Sequence, residues 1–321
     1  QNDGVMIPIP QYPLYSASIT LYGGKQVNYY LDEEEKWGLN IDHLEQAYAE
    51  ATRNGVNVRA LVVINPGNPT GSVLKKDNMT QIVQFCVKNS IVLLADEVYQ
   101  DNIYPDTESP VEFFAFNRIM YELGVEKDLE LISFHSASKG FLGECGRRGG
   151  YVHISSSIAS DVVEQLYKLT SVILAPNTHG QLAMDMLINP PTSGEAAVQY
   201  NKEKDLIMNS LKRRAKLLSE AFNKLPGISC QPMQGAMYAF PQITIPQKAV
   251  DAAKEQGLSP DLWYVLEMLK ATGIVAVPGS GFGQKQGTYH FRTTFLPQEH
   301  EMQAAMERFA DFQTKFMKQY E

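Results

Sequence analysis

Four short segments carry side chains whose types and spacing could do chemistry, and each has an ordinary explanation when taken alone. Ser136-Ala137-Ser138-Lys139-Gly140 sets an amine among hydroxyls. A single lysine is most often a solvated surface residue, yet an amine held beside anion donors can form an imine with an aldehyde. The two serines are expected at a strand-to-helix turn, where hydroxyl and backbone N–H groups bind an anion. Arg148, nine residues beyond the lysine, would add a bidentate charge. Asp96-Glu97-Val98-Tyr99 ends an apolar run. Asp96 is either a helix N-cap or a carboxylate that pairs with a protonated ring nitrogen, with Tyr99 in reach of a ring hydroxyl. Asn65-Pro66-Gly67-Asn68-Pro69-Thr70-Gly71 is a dense turn cluster of the kind that is usually a loop; its prolines and glycines would hold the Asn68 amide as a fixed donor. Phe291-Arg292-Thr293-Thr294 sets an arginine in a strand-like run, as a surface ion-pair partner or as a fork for a substrate carboxylate.

These segments need elements to hold them. The apolar runs 60–64, 91–95 and 129–134 read as buried strands, and each ends in one of the polar clusters. Stretches 41–54 and 77–89 are helix-like, the second with apolar Met79, Ile82, Val83, Cys86 and Val87. Strands alternating with helices predict βαβ units and a mainly parallel sheet, in which ligands bind beyond the carboxyl ends of the strands. Residues 5–9 form a further strand. Gln1-Asn2-Asp3-Gly4 leads into it so abruptly that the chain is expected to be cut from a longer protein. Residues 141–150 read as loop, 151–154 as strand, 161–168 and 180–188 as helices, and 196–225 as a long charged helix. Beyond it the pattern becomes α+β: strands at 228–233, 237–245, 274–278 and 289–294, helices at 260–272 and 298–320. The expected organisation is a large α/β domain over 1–205, incomplete at its N-terminus, and a smaller α+β domain over 206–321.

Composition removes several classes. The 321 residues carry 28 basic and 36 acidic side chains, a formal charge of −8, which disfavours a polyanion-binding surface and hence a nucleic-acid partner. The longest apolar runs, such as 91–95, are far too short to span a bilayer, and no basic head and apolar run of a signal peptide opens the chain. Three widely spaced cysteines without a CxxC pair argue against a disulfide framework or zinc site and for a reducing compartment. The expected location is cytoplasmic, or mitochondrial if a transit peptide precedes residue 1. Cys145, close to Lys139, reads as a packing residue rather than a nucleophile.

The joint order of the four segments, with Arg147 and Arg148 between the third and fourth, resembles the fold-type I pyridoxal-phosphate-dependent aminotransferases of class I/II. Segments 10–17 (PQYPLYSA), 94–101 (LADEVYQD), 138–150 (SKGFLGECGRRGG), 234–241 (QGAMYAFP), 277–283 (VPGSGFG) and 288–297 (TYHFRTTFLP) look like the alanine aminotransferase branch, and the resemblance spans nearly the whole chain. It implies a homodimer that exchanges an amino group between L-alanine and 2-oxoglutarate, or uses glyoxylate as acceptor, on pyridoxal 5′-phosphate. Carried over by position, Lys139 matches the Schiff-base lysine, which is also the base at the substrate α-carbon. Asp96 matches the partner of the pyridine nitrogen, Asn68 and Tyr99 the partners of the phenolic oxygen, and Tyr12 the aromatic that stacks on the ring. Ser136, Ser138 and Arg148 match the phosphate ligands, Arg148 being preferred over Arg147 because Gly149-Gly150 follows it. Arg292 matches the binder of the substrate α-carboxylate. The family's usual N-terminal region, with a phosphate loop and an arm to the partner subunit, has no counterpart here; a truncated, non-catalytic homologue and another fold-type I activity, a lyase or racemase, are the rival readings.

Overall fold

The computed structural model describes residues 2–105 and 110–321; Gln1, counted above in the approach to the first strand, lies outside the described residues. The first half alternates as the apolar runs predict: β1 (Asp3–Ile9), α1 (Leu14–Leu21), β2 (Lys25–Tyr30), α2 (Ile41–Arg53), β3 (Asn57–Ile64), α3 (Lys76–Asn89), β4 (Val92–Asp96), α4 (Phe116–Glu122), β5 (Leu131–Ser136) and β6 (Gly150–Ile154). Local chemistry marks the ends. The Asn40 side chain accepts from Asp42 N at the start of α2, and Ser90 closes α3 in the left-handed conformation. The six strands form one sheet in the order β2-β1-β3-β4-β5-β6, parallel except for β6, which runs antiparallel to β5. The chain steps outward from β1 to β2 and then returns to the other side of β1 for β3. The topological switch therefore lies between β1 and β3, where an open parallel sheet leaves a crevice at its carboxyl edge.

The second half contains α5 (Ser160–Ser171), α6 (Thr178–Ile188), α7 (Gly194–Phe222), β7 (Ile228–Ser229), β8 (Tyr238–Ala239), β9 (Gln242–Ile243), α8 (Gln247–Glu255), α9 (Pro260–Thr272), β10 (Val277–Pro278), β11 (Phe291–Thr294) and α10 (Glu299–Tyr320). Proline at the first position and Gly273 at a φ of 74° bound α9 where the sequence suggests, and a Gln298–Glu301 capping box starts α10. Two large hydrophobic cores result, beside smaller clusters. One joins Met6, Leu61, Met79, Ile82, Leu93, Phe116 and Leu131 around the large sheet. The other joins the last turns of α7 (Leu211, Leu218, Phe222) to Tyr264, Phe291, Phe309 and Phe316. The helix α7 is continuous through residues 205 and 206.

The structure departs from the sequence reading in three places. The strand-to-helix turn expected at the serines is not formed: β5 leads through turns and one 3-10 turn (Cys145–Arg147), in the stretch expected as loop, into the expected strand, β6, which is antiparallel. Gly140, Gly143 and Arg148 all have positive φ, which α-helical geometry forbids, and Gly149 lies so close to the Gly180 carbonyl that a Cβ has no room. The expected strands over 228–233 and 237–245 shrink to two-residue pieces, interrupted at Pro232 and Pro241. Helices α1, α4 and α8 and edge strand β2 were not anticipated; α1 and α4 are only 8 and 7 residues long, too short for a periodic signal. No helix among the described residues is long and apolar enough to cross a membrane.

Candidate active site

The strand register sets the carboxyl-edge loops side by side. Ile64 lies opposite Asp96, and Asp96 opposite Phe134. Asn65 N donates to the Asp96 carbonyl at 3.0 Å and Glu97 N to the Phe134 carbonyl at 3.1 Å. Asp96 is thus fixed at the end of β4 and is 9% exposed. It caps no helix. Its Oδ1 accepts from Val98 N at 3.4 Å within a turn, and its Oδ2 accepts from the Tyr15 hydroxyl, on α1, at 2.7 Å. Burial pushes the Asp96 carboxyl above its ordinary range, opposed by the Tyr15 hydrogen bond, the Val98 N–H and the charges of Lys139 and His135. The Tyr15 phenol is pushed up in turn, by burial first and then by the carboxylate. Beside Asp96, the Glu97 carboxyl is pushed up to about 7 by burial, although its Oε1 accepts from Phe116 N at 2.7 Å.

The turn cluster after β3 contains two cis peptide bonds, Asn65–Pro66 and Asn68–Pro69. Gly71, at a φ of 70°, closes it, and its carbonyl accepts from both Gln234 N (2.9 Å) and Gly235 N (2.8 Å). A Cβ on Gly71 would come within 2.8 Å of the Tyr238 carbonyl; glycine is required by conformation and by space. This docking brings β8 of the small sheet against the carboxyl edge of the large one. The Tyr238 hydroxyl then receives the Tyr99 hydroxyl at 3.0 Å and Lys139 Nζ at 3.4 Å. Lys139 Nζ also lies 5.6 Å from the Tyr99 ring centre. Pairing of β8 with β11 carries Arg292 to the same place. Its guanidinium stands 4.5 Å from the Tyr238 ring and 4.7 Å from the Phe282 ring, and Nη1 donates to Asn68 Oδ1 at 3.2 Å.

Lys139, Asp96, Tyr99, Asn68 and Arg292, named from sequence on four separate segments, are thereby linked in one cluster. Ser136 and Ser138 are half-buried in the turn that carries Lys139. Tyr12 lies at the entrance of α1, 40% exposed and near enough to Tyr15 to raise its phenol. Arg148 is exposed, and its Nη1 donates to the Cys145 carbonyl at 2.9 Å; Arg147 pairs with Glu144 at 3.2 Å. The Ala137 N to Gly149 carbonyl bond (3.1 Å) keeps the Arg148 backbone beside the serine turn. Sequence reasoning missed Tyr15, Tyr238 and Phe282. Their motifs were visible, but only the docking of α1, β8 and the 279–282 turn on the sheet edge gives these three side chains partners.

The family described as aminotransferase class I and II matches this chain over residues 1–309. The chain belongs to that family. A protein of Dictyostelium discoideum named "Probable alanine aminotransferase, mitochondrial" is 52% identical over the whole of this chain, which covers 60% of that protein. A protein of Arabidopsis thaliana named "Glutamate--glyoxylate aminotransferase 2" is 48% identical, again over the whole chain and 66% of its own length. The chain therefore spans somewhat under two thirds of these relatives. The solved structure of an alanine aminotransferase from Pyrococcus furiosus superposes with a TM-score of 0.79 at 30% identity, covering 98% of this chain and 71% of the other. The fold is accordingly that of the fold-type I aminotransferases, α/β with a mainly parallel central sheet, as the resemblance implied.

Proposed function

We propose that this chain carries the active site of an aminotransferase that moves an amino group between L-alanine and 2-oxoglutarate, giving pyruvate and L-glutamate, with pyridoxal 5′-phosphate as cofactor. The observation that carries the reading is the meeting of an amine, a buried carboxylate and a guanidinium at the carboxyl edge of a parallel sheet. This donor set fits the cofactor. A 9%-exposed carboxylate already oriented by Tyr15 suits a protonated ring nitrogen. Asn68 and Tyr99 would face the phenolic oxygen, Tyr12 the ring, and Ser136, Ser138 and Arg148 the phosphate. When bound, pyridoxal phosphate supplies an aldehyde carbon for amine exchange and a ring that accepts electron density.

The chain's own groups do the rest. Arg292 takes the α-carboxylate of either substrate by its planar fork, with Asn68 and two aromatic rings steadying the guanidinium. Lys139 Nζ removes the proton at the substrate α-carbon and returns it in the reverse half of the cycle. Tyr15 and the Val98 N–H support the ionised form of Asp96 against the burial that opposes it. The names of the Dictyostelium and Pyrococcus relatives support alanine as donor; the Arabidopsis relative favours glyoxylate as acceptor in a second reading. Paired product assays with 2-oxoglutarate and with glyoxylate separate the two. Lys139→Ala is expected to abolish both amino transfer and the yellow absorbance of the cofactor-bound chain; a yellow, active variant would overturn the assignment.

Homodimer formation belongs to the same proposal. Tyr167, Leu169, Val172, Ile173 and Leu174 are at least 70% exposed in and just after α5, an apolar surface that a second subunit would cover. Sedimentation at two concentrations reads the oligomer directly. Three free cysteines, two of them buried, support a reducing compartment, cytoplasmic or mitochondrial. The division into units 1–205 and 206–321 is likewise proposed, supported by the two separate cores.

A further inference from the structure

Tyr238 stands between groups that the proposed chemistry uses separately. Its hydroxyl receives Lys139 Nζ at 3.4 Å and the Tyr99 hydroxyl at 3.0 Å, and the other face of its role is the ring, 4.5 Å from the Arg292 guanidinium. The residue is 8% exposed on β8, bonded to β11 on one side, while Lys139 belongs to the turn leaving the large sheet. One side chain thus spans the two sheets at the point where amine and guanidinium come together. A buried tyrosine needs a partner for its hydroxyl, and Tyr99 alone would supply it. Contact with the lysine and the arginine is additional to that need.

The chemistry gives those two contacts a purpose. A carboxylate carbon and the α-carbon are one bond apart, so the proton can be removed only if the amine and the carboxylate fork keep a fixed separation. Lysine and arginine are long, rotamer-rich side chains and do not hold such a separation unaided. The Tyr99 phenol, pushed up by burial and by Tyr238, stays a donor. The two hydroxyls meet on one side of the Tyr238 oxygen, which leaves the other for Lys139.

We propose that Tyr238 is a positioning residue that ties Lys139 Nζ to Arg292, its hydroxyl setting the amine and its ring setting the guanidinium. The proposal rests on the roles given above to Lys139 and Arg292. Ring and hydroxyl are separable by Tyr238→Phe, which keeps the ring, and Tyr238→Leu, which keeps neither. Three measurements on the 321-residue chain test it: capture of limiting pyridoxal phosphate at Lys139 by borohydride, read by mass spectrometry; modification of Arg292 by phenylglyoxal without cofactor; and kcat and KM for L-alanine.

Tyr238→Phe is expected to lower capture at Lys139 and kcat by about tenfold, the scale of one hydrogen bond to a charged group, with KM and Arg292 reactivity unchanged. Tyr238→Leu is expected to share those losses and in addition to raise KM and speed Arg292 modification several-fold. Wild-type capture and kcat retained by Tyr238→Phe would overturn the hydroxyl's role. Equal Arg292 reactivity in the two variants would overturn the ring's role, because a merely structural residue does not divide its effects this way. A wild-type chain that captures no pyridoxal phosphate at Lys139 would instead sink the functional reading itself, and this proposal with it.

Discussion

Replacing Tyr15 by phenylalanine removes one hydroxyl from a buried carboxylate and leaves the ring in place. The lost bond is the 2.7 Å contact to Asp96 Oδ2, with Asp96 buried and Tyr15 half-buried. Hydrogen bonds to charged groups contribute about 1.5–3 kcal/mol net. Asp96 already has its carboxyl raised by burial, so the folded protein holds that proton more tightly than the unfolded chain does. A raised carboxyl costs stability as pH climbs from its unfolded value through its folded one, and the cost is complete above the latter. Without Tyr15 the folded value moves higher still, because the ionised carboxyl loses a hydrogen-bond donor. The interval widens, and the variant falls further behind as pH rises. The deficit should be larger at pH 7.5 than at pH 5, reaching roughly 2–5 °C in melting temperature for a chain of this size once the carboxyl is ionised. Differential scanning calorimetry of both proteins at the two pH values measures it. An equal deficit at both pH values would refute the reasoning, since the loss would then be independent of the Asp96 charge.

Three other outcomes follow from the same geometry. Glu97→Gln keeps an acceptor for Phe116 N but removes the carboxyl raised from 4.5 to about 7; the wild type should lose stability as pH rises through that interval, and the variant's melting temperature should be flatter across it. Gly71→Ala forces a side chain onto a φ of 70° and against the Tyr238 carbonyl, a strain of order 1–3 kcal/mol; calorimetry should show a lowered melting temperature. Arg292→Lys replaces a planar fork with a point charge, and steady-state kinetics should show KM for L-alanine raised by about tenfold or more, in line with the loss of a charge-assisted bond, with a smaller effect on kcat.

Much of the site was legible because its residues follow strand ends. Asp96 closes an apolar run, Lys139 follows another, and the Asn68 loop follows a third, so reading the runs as parallel strands already brings the loops to one edge. Tyr15 and Tyr238 escaped for the opposite reason. Tyr15 lies on an 8-residue helix whose apolar character runs all round, and Tyr238 on a two-residue strand between irregular stretches; neither leaves a period that shows which way its side chain points. Arg148 was assigned by its position before Gly149-Gly150, and the structure shows its guanidinium turned to the Cys145 carbonyl, an orientation that depends on its left-handed backbone rather than on its neighbours in sequence.

The sequence by itself determined the alternation of strands and helices, the order of the chemical segments and the side-chain types that could act, because period, turn residues and functional groups are local properties of the chain. The tertiary structure alone decided which groups touch: that Tyr15 donates to Asp96, which caps no helix, that the Lys139 turn leads into an antiparallel strand, and that Tyr238 joins the lysine to the arginine. The last of these depends on how two sheets dock through the Gly71 carbonyl, and all three on long-range packing that no local pattern encodes.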